Sequence, residues 1–535
     1  VSAPPPAPPR PWLLLLLGAV VFAVYLKGLT EWTFVGDDAY ISFRYALQLV
    51  RGNGLVWNPG EYVEGYTNFL WVLLVAAGLA VGVAPTTSSV AAGVASGVLV
   101  LWMATRRAAA EWGGAHPALW SVALIAAATR SFCAWSTSGL ETMGFTALVL
   151  AGLLAAEREH LAPERAPWRS STCLALAVWM RPDGVLFVAV VGLLHALDAL
   201  RGRRAWGSAG AWLAPLIALV GGHELFRWFT YGDLVPNTFH AKVNGAWLDQ
   251  GLTYLALAHE DYGVGWVAWL GLIPLLTLRR RIDLLFASAV AAQLAFILYV
   301  GGDRFEFRFL VPILLPALWL MVEGLTWCVG RTTRGGWIVL LAAALAATSV
   351  HLQGLERRGQ IRDEVEQIPF IRTFAARRAE QGQQLRRLVD RGLLPADLRI
   401  AVGAAGALPY YADLHTTDVF GLNDREIATR EVERTDRSVP AHEKHATAAD
   451  LVKRRVELYD ATGWLFTDRL SLAQRAWEKQ ARKVRKLRGG DVLFPVCFRQ
   501  GGQWMVFLTT LDNAGRNERF GQLEPCEAGA LEAAR

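Results

Sequence analysis

The sequence predicts an α-helical polytopic membrane protein with a soluble α/β domain at its C-terminal end. Three observations carry that prediction. Of 535 residues, 53% are apolar and only 19% charged, against about 25% charged in a soluble globular chain. The deficit is uneven, because apolar blocks recur from Trp12 to Val350 while Gly354 to Arg535 has ordinary soluble composition. Many of the blocks are also long enough to cross a ~30 Å hydrocarbon core as helix. The expected division is a cytoplasmic tail over 1–10, a transmembrane part over 11–351 with a long first outer loop at 32–68, and a soluble domain over 352–535.

The opening VSAPPPAPPRP is too rich in proline to pack and reads as a disordered tail. The apolar run after Arg10 has no small-x-small cleavage site behind it and many further spans in front of it, so it reads as a retained first helix. Further spans are expected at 88–105, 117–134, 142–156, 210–228, 263–277, 283–300, 309–328 and 336–351. Residues 171–199 form an apolar block broken by Arg181-Pro182-Asp183-Gly184, which suggests a short hairpin reaching one face. The run 69–84 either spans or lies in the interface. Arginine placement decides for the interface: with 69–84 not crossing, Arg106, Arg107, Arg158, Arg165, Arg169, Arg201, Arg203, Arg204, Arg279, Arg280, Arg281, Arg331 and Arg334 share the cytoplasmic side. The opposite loops then hold only Arg130, Arg181, Arg227, Lys242, Arg304 and Arg308, and the C-terminal domain is extracytoplasmic.

The net charge of +6 follows from those short basic loops rather than from an acidic partner. The 22 tryptophans fall mostly near segment ends and read as interfacial anchors. Cys133, Cys173 and Cys328 lie in or beside apolar segments without ligand spacing, leaving Cys497 and Cys526 as a possible disulfide. No cofactor is expected, a divalent metal is open but not indicated by any ligand spacing, and no nucleic-acid partner is expected.

This topology brings the polar motifs GDDAY (36–40), SGLET (138–142), RPDG (181–184), YGDLVPNTFHAK (231–242) and GGDRFEFR (301–308) to one outer side. In the first loop, residues 39–51 alternate so as to suggest an amphipathic helix along the interface, with Asp37-Asp38 at its start. A single aspartate there reads equally as a helix cap; a pair goes beyond capping. Such a carboxylate can take a proton from an acceptor hydroxyl or steady positive charge at a sugar C1. A lipid-borne phosphate leaving group needs cations near the headgroups, for which Arg181, Lys242, Arg304 and Arg308 are candidates.

Against these stand plainer readings. Glu141 reads equally as a complement to a helix dipole, and Arg181 as a simple partner of Asp183. His240 lacks a second histidine at ligand spacing and reads best as interfacial. Asp303, Arg304, Glu306 and Arg308 look like a solvated cap, with Arg308 a lesser phosphate candidate. Trp57, beside Asn58, is placed to stack on a sugar.

GDDAYISFRYALQLVRGNGLVWNPGEYVEGYTNFLW resembles the opening of the GT-C superfamily of polyprenyl-phosphate-sugar-dependent glycosyltransferases, and within it the mycobacterial-type terminal arabinofuranosyltransferases. SGLET, RPDG, YGDLVPNTFHAK, GGDRFEFRFLVPILLPALW and GALPYYADLHTTDVFGLNDREIA are similar to the same group, so the resemblance touches both halves of the chain. It implies a GT-C type fold in the bacterial plasma (inner) membrane, a polyprenyl-phosphate sugar donor, inverting transfer to a hydroxyl of a cell-envelope glycan, and membrane lipids around it. By resemblance Asp37 is the catalytic acid-pair member, with Asp38 where a Glu is common; that departure leaves the choice between them open. Glu141 corresponds to the second acidic residue, Arg181 and Lys242 to the phosphate-binding cations, and Asn237 and His240 fall in the substrate-binding stretch.

In the soluble part, 361–390 reads as charged amphipathic helix, and LRIAVGAAGALPYYA as strand, glycine-rich turn and helix. Gly403-Ala-Ala-Gly406 is neither a P-loop nor a dinucleotide fingerprint. WLFTD, DVLFPVCF and QWMVFLTTL read as strands around the basic helix AQRAWEKQARKVRKLR, a solvated face or a contact for anionic polymer or lipid. The rival function is a lipid-linked sugar transporter or flippase, but no paired internal repeats are found.

Overall fold

The computed structural model describes residues 11–114, 116–162, 167–242, 245–263, 268–278, 280–356, 365–431, 444–460, 466–486 and 492–526. It divides into two compact units. A helical unit comprises Val1–Gly36, Thr67–Phe229 and Gly245–Arg372; a sheet unit comprises Asp37–Tyr66, Thr230–Asn244 and Thr373–Arg535. The first loop, counted with the membrane part in the sequence, thus folds with the C-terminal chain.

Among the described residues, five helices are long and apolar enough to cross a membrane: Pro85–Trp112, Trp206–Tyr231, Arg281–Val300, Arg308–Val329 and Thr333–Glu356. With the first helix Pro11–Glu31 and the 20-residue helix Thr142–Leu161, they make a multi-pass membrane protein. Close packing rests on small residues: Gly97 sits against the Tyr25 hydroxyl and Ser136, where a Cβ would collide with both. Tyr25 itself is fully buried and donates to Ser136 Oγ at 2.8 Å, tying the first helix to Arg130–Thr137.

The run 69–84, read from sequence as interfacial, is a 12-residue helix, Phe69–Ala80, about 18 Å long and too short to span. Three expected spans take a different form. The 117–134 run breaks at Thr129, whose ψ of 123° is extended, into Pro117–Ala128 and Arg130–Thr137 at 64° to each other. The bend carries Arg130 to its counter-ions: its Nη2 lies 2.7 Å from Asp261 and its Nε 2.7 Å from Glu306, all three nearly fully buried. Within 210–228, Pro215 removes a backbone donor, and the helix passes through a π-turn at Ile217–Gly221 before resuming. Of the 263–277 run, residues 264–267 lie outside the described residues, and the remainder is the short stretch Ala268–Thr277.

Charges collect at two ends of this bundle. At one end Arg107 pairs with Glu157 at 2.8 Å, Arg280 with Asp283 at 2.8 Å and Glu323 at 3.0 Å, and Arg281 with Asp198 at 2.7 Å. At the other, Arg181 pairs with Asp183 and Arg308 with Asp303. Helices such as Thr142–Leu161 and Arg281–Val300, 20 residues each, run from one rim to the other, about 30 Å, the thickness of a hydrocarbon core.

Among its described residues the sheet unit holds seven strands: β1 (Arg399–Val402), β2 (His415–Asp418), β3 (Leu458–Asp460), β4 (Phe466–Thr467), β5 (Phe494–Gln500), β6 (Gln503–Thr509) and β7 (Glu524–Pro525). The order is β2-β1-β3-β6-β5-β7, with β4 also on β6. β1 is parallel to β2 and β3; β5 and β6 form an antiparallel hairpin turned by Gly501-Gly502, both at positive φ. Strand alternation divides the apolar residues between two faces. Ile400, Val402, Met505 and Phe507 pack under Leu385 and Leu388 of the helix Ile368–Asp390, while Ala401, Leu451, Tyr459 and Leu508 pack on the other side. The basic helix Leu470–Lys486 lies over Trp504 and Val506 through Ala473 and Ala476. Cys497 and Cys526 form a disulfide.

Candidate active site

The acidic pair belongs to the sheet unit. Helix Ala39–Val50 follows it directly, yet Asp38, in the N-cap position, makes no side-chain cap. Asp37 caps another helix instead: its carboxylate accepts from Ala407 N at 2.9 Å and Gly406 N at 3.2 Å, at the start of Ala407–Ala412. Gly406 is glycine because a Cβ there would run into the Asp37 carbonyl. The cap on the following helix, the plainer reading of a first-loop aspartate, is therefore not made; Asp37 instead caps a helix some 370 residues away in sequence. Burial pushes the Asp37 carboxyl up to about 6, against the pull of the Ala407 and Gly406 amides and of Arg378, with Asp38 adding to the push. Two amide bonds leave lone pairs free on a carboxylate that can accept about four. Asp38 is half-buried, with no side-chain hydrogen bond among the described residues.

The helix Ala39–Val50 does not present Arg44 to headgroups, as the amphipathic reading expected. Arg44 is 2% exposed. It donates to Trp57 O at 2.7 Å, Asn58 Oδ1 at 3.1 Å, Leu414 O at 2.8 Å and Pro409 O. Its guanidinium also lies 4.8 Å from the Trp57 ring centroid. Trp57, expected to stack on a sugar, is thereby 1% exposed and already covered by a cation. Asn237, expected at the substrate, donates its amide to Gly421 O at 2.8 Å and Leu422 O at 2.9 Å and is buried. Both are spent on holding the loops to the sheet unit. His240 keeps partial exposure and lies 2.9 Å from Asp233 Oδ2, which also takes Arg425 at 3.1 Å. Burial acts against ionisation of Asp233, yet His240 and the amides of Leu234 and Val235 hold its carboxyl below the usual value. Lys242 ends the same short helix, Asn237–Lys242, and is exposed.

The remaining candidates form a cluster in the helical unit. Glu141 sits at the N-cap of Thr142–Leu161 without capping it. Its carboxylate accepts instead from Asn68 Nδ2 at 2.9 Å and faces Arg181 Nη1 at 3.5 Å. Arg181, at the apex of the hairpin formed by Trp168–Met180 and Gly184–Leu200, forks onto Asp183 at 2.9 and 3.0 Å. The plain pairing weighed for Arg181 is thus present, and Glu141 extends it. Arg308 donates through Nε to Asp303 at 2.7 Å, leaving its terminal nitrogens without a hydrogen bond among the described residues. Both guanidinium groups lie over one ring, Phe309, at 5.0 Å for Arg181 and 5.6 Å for Arg308. An anion arriving here meets Arg308 with donors in hand and Arg181 already engaged, so Arg308, ranked lowest from sequence, is the better placed. Of the supposed solvated cap, Glu306 is buried at 1% exposure beside Arg130, while Asp303, Arg304 and Arg308 are half-buried.

Sequence reasoning missed Asn68, Gly406, Phe309 and Asp233. Asp233 and His240, seven apart within one quoted motif, carried a signal of pairing; Gly406 and Asn68 carried none, because their partners are remote in sequence.

Comparison with known proteins agrees with this architecture. Residues 370–507 match a family described as a domain of unknown function (DUF8728). Over 377 residues, 62% of this chain and 54% of the relative, the sequence is 28% identical to the terminal β-(1→2)-arabinofuranosyltransferase of Mycobacterium tuberculosis. To that of Corynebacterium glutamicum it is 27% identical over 400 residues, 64% of this chain and 55% of the relative. The chain spans about half the length of these curated relatives. The crystal structure of ArnT from Cupriavidus metallidurans bound to undecaprenyl phosphate superposes with a TM-score of 0.57 at 12% identity, over 94% of this chain and 98% of that one. The chain therefore shares the overall fold of ArnT and is similar in sequence to the terminal arabinofuranosyltransferases.

Proposed function

We propose that the chain is a glycosyltransferase that moves an arabinofuranosyl residue from a polyprenyl-phosphate donor to a hydroxyl of a cell-envelope glycan, with inversion. The observation that carries this reading is the acidic pair: a buried carboxylate at Asp37 pushed up to about 6, next to a second, uncommitted one at Asp38. A base near that value is largely ionised at neutral pH and still basic enough to take a hydroxyl proton as the bond forms. Asp37 takes the proton of the acceptor hydroxyl, the acceptor oxygen bonds to the sugar C1, and the C1–O bond to phosphate breaks. The electron pair leaves with the polyprenyl phosphate. Arg308, with Arg181 behind it, is assigned the binding of that phosphate; Glu141 fixes Arg181. Asp38 is assigned to a hydroxyl of the sugar or acceptor. Lys242 and His240, the exposed members of the remaining set, are assigned to the incoming ligands.

The names of the sequence relatives and the undecaprenyl phosphate held by ArnT support donor and reaction class. An extracytoplasmic position of the sheet unit is supported by its disulfide, which persists in oxidising compartments, and by the arginine bias of the loops between the apolar segments. Purified protein in proteoliposomes, given labelled polyprenyl-phosphate arabinose and a glycan acceptor, is expected to form a glycosidic product. Translocation of the donor without product would identify a flippase and overturn the proposal.

A further inference from the structure

Trp57, the aromatic expected under a sugar, is buried, so the proposed reaction still needs a surface for the acceptor's rings. A second group of aromatic side chains lies beside Asp37, wholly within the sheet unit.

Two helices place it. Asp37 stands at the start of both: its carbonyl accepts from Tyr40 N at 3.0 Å as Ala39–Val50 begins, and its carboxylate holds Ala407 N at 2.9 Å as Ala407–Ala412 begins. Tyr40 thus follows Asp37 by three residues, and Tyr411 lies one helical turn from the amide that Asp37 holds. At the far ends Arg51 forks onto Asp413 at 2.8 and 2.9 Å, so the two helices run side by side in one direction. Between these ends the rings meet. Tyr40 lies 5.5 Å from both Tyr410 and Tyr411, which lie 5.1 Å from each other, and Phe43 lies 5.1 Å from Tyr40.

Packing alone accounts for Tyr40 and Phe43, which are buried. It does not account for Tyr410 and Tyr411. Both are half-buried, and consecutive residues of a helix point about 100° apart, so each turns part of its ring to solvent in a different direction. The Tyr410 hydroxyl makes no hydrogen bond among the described residues. Burial, the Tyr411 hydroxyl and the Asp37 carboxylate hold the Tyr40 hydroxyl well above its usual value, and burial pushes that of Tyr410 up to about 12, so both stay protonated donors at neutral pH. Part-open rings with neutral hydroxyls, bounded by a carboxylate at one end and the Arg51–Asp413 pair at the other, match a sugar. Its C–H face packs on an aromatic ring while its hydroxyls meet polar groups at the edge.

We propose that Tyr410 and Tyr411 form the acceptor subsite, stacking on a sugar ring of the acceptor glycan beside Asp37; the assignment rests on the transfer reaction proposed above. The test uses the full chain in detergent without donor, so that binding is read whether or not transfer occurs, with a short synthetic arabinofuranose oligosaccharide as probe. Irradiating aromatic protons is expected to saturate the sugar C–H protons in wild type. Tyr410→Ala is expected to weaken binding at least about tenfold, and Tyr410→Phe, which keeps the ring, to retain most of it. Tyr410→Leu, which keeps bulk without an aromatic face, is expected to show the same loss as Tyr410→Ala at wild-type melting temperature. In proteoliposomes the KM for the acceptor rises by the same factor and the KM for the donor does not change. Absence of saturation in wild type, or unchanged affinity in Tyr410→Ala and Tyr410→Leu, overturns the proposal. So does a parallel rise in both KM values, which a merely structural role would give. The expected binding pattern with no product from the wild type would overturn the transfer reaction and keep the tyrosines as a sugar-binding site.

Discussion

Asp37 holds the start of the helix Ala407–Ala412 with its carboxylate and, in the proposed reaction, takes a proton with the same group. The two jobs make separable demands on pH. Rate requires the ionised form, so transfer should fall as pH drops through about 6 and level off above it. Stability moves the other way for this group. Its folded value lies above the ordinary 3.8, so the folded state binds the proton more tightly, and this group's contribution rises as pH falls from about 6 towards 4. A pH–rate profile and melting curves on the same sample check both signs; a rate flat down to pH 5 would remove Asp37 as the base. Arg308→Gln should raise the KM for the donor at least about tenfold, from loss of charge-assisted bonds to phosphate, with the melting temperature little changed. An unchanged KM would return Arg308 to a purely structural pairing with Asp303. At this scale the sequence named Asp37, Glu141, Arg181 and Arg308 because charges beside membrane helices are costly unless used. It could not foresee that Trp57 and Asn237 are buried against Arg44 and the Gly421 carbonyl, because an aromatic or an amide in a loop serves packing as readily as ligand.

Elements followed from sequence where their pattern was local. The strands β1, β5 and β6 and the helix Ile368–Asp390 lie where alternation and helical period put them. The breaks at Thr129 and at Pro215–Gly221 differ in legibility: a proline announces itself, but Thr129 bends because Arg130 must reach Asp261 and Glu306, far along the chain. The turn before Ala407–Ala412 gives a sharp test. Gly406→Ala forces a Cβ into the Asp37 carbonyl, an overpacking of about 1–3 kcal/mol, and should depress both melting temperature and transfer. Wild-type behaviour would mean that the Asp37 turn is not held as described. The Cys497–Cys526 bridge closes a separation of 29 residues, for which chain entropy gives about 3–4 kcal/mol. Cys497→Ser with Cys526→Ser should lower the melting temperature to that of the reduced wild type, and reductant should then have no further effect.

For the whole molecule, composition sufficed to divide apolar from soluble chain, because partition into lipid is a bulk property. It could not place residues 37–66 and 230–244 in the sheet unit, since that grouping rests on single side chains such as Arg44 and Asn237. Orientation is checked by impermeant thiol labelling in intact cells, with exposed Cys328 replaced. A cysteine at Tyr62, 55% exposed, should react from outside, and one at Arg201 only after permeabilisation. The reverse pattern would turn the acidic pair towards the cytoplasm. The most direct measurement is single-turnover transfer from labelled polyprenyl-phosphate arabinose in proteoliposomes, comparing wild type with Asp37→Asn at matched melting temperature. The account predicts glycosidic product from the first and none from the second; equal product from both would contradict it.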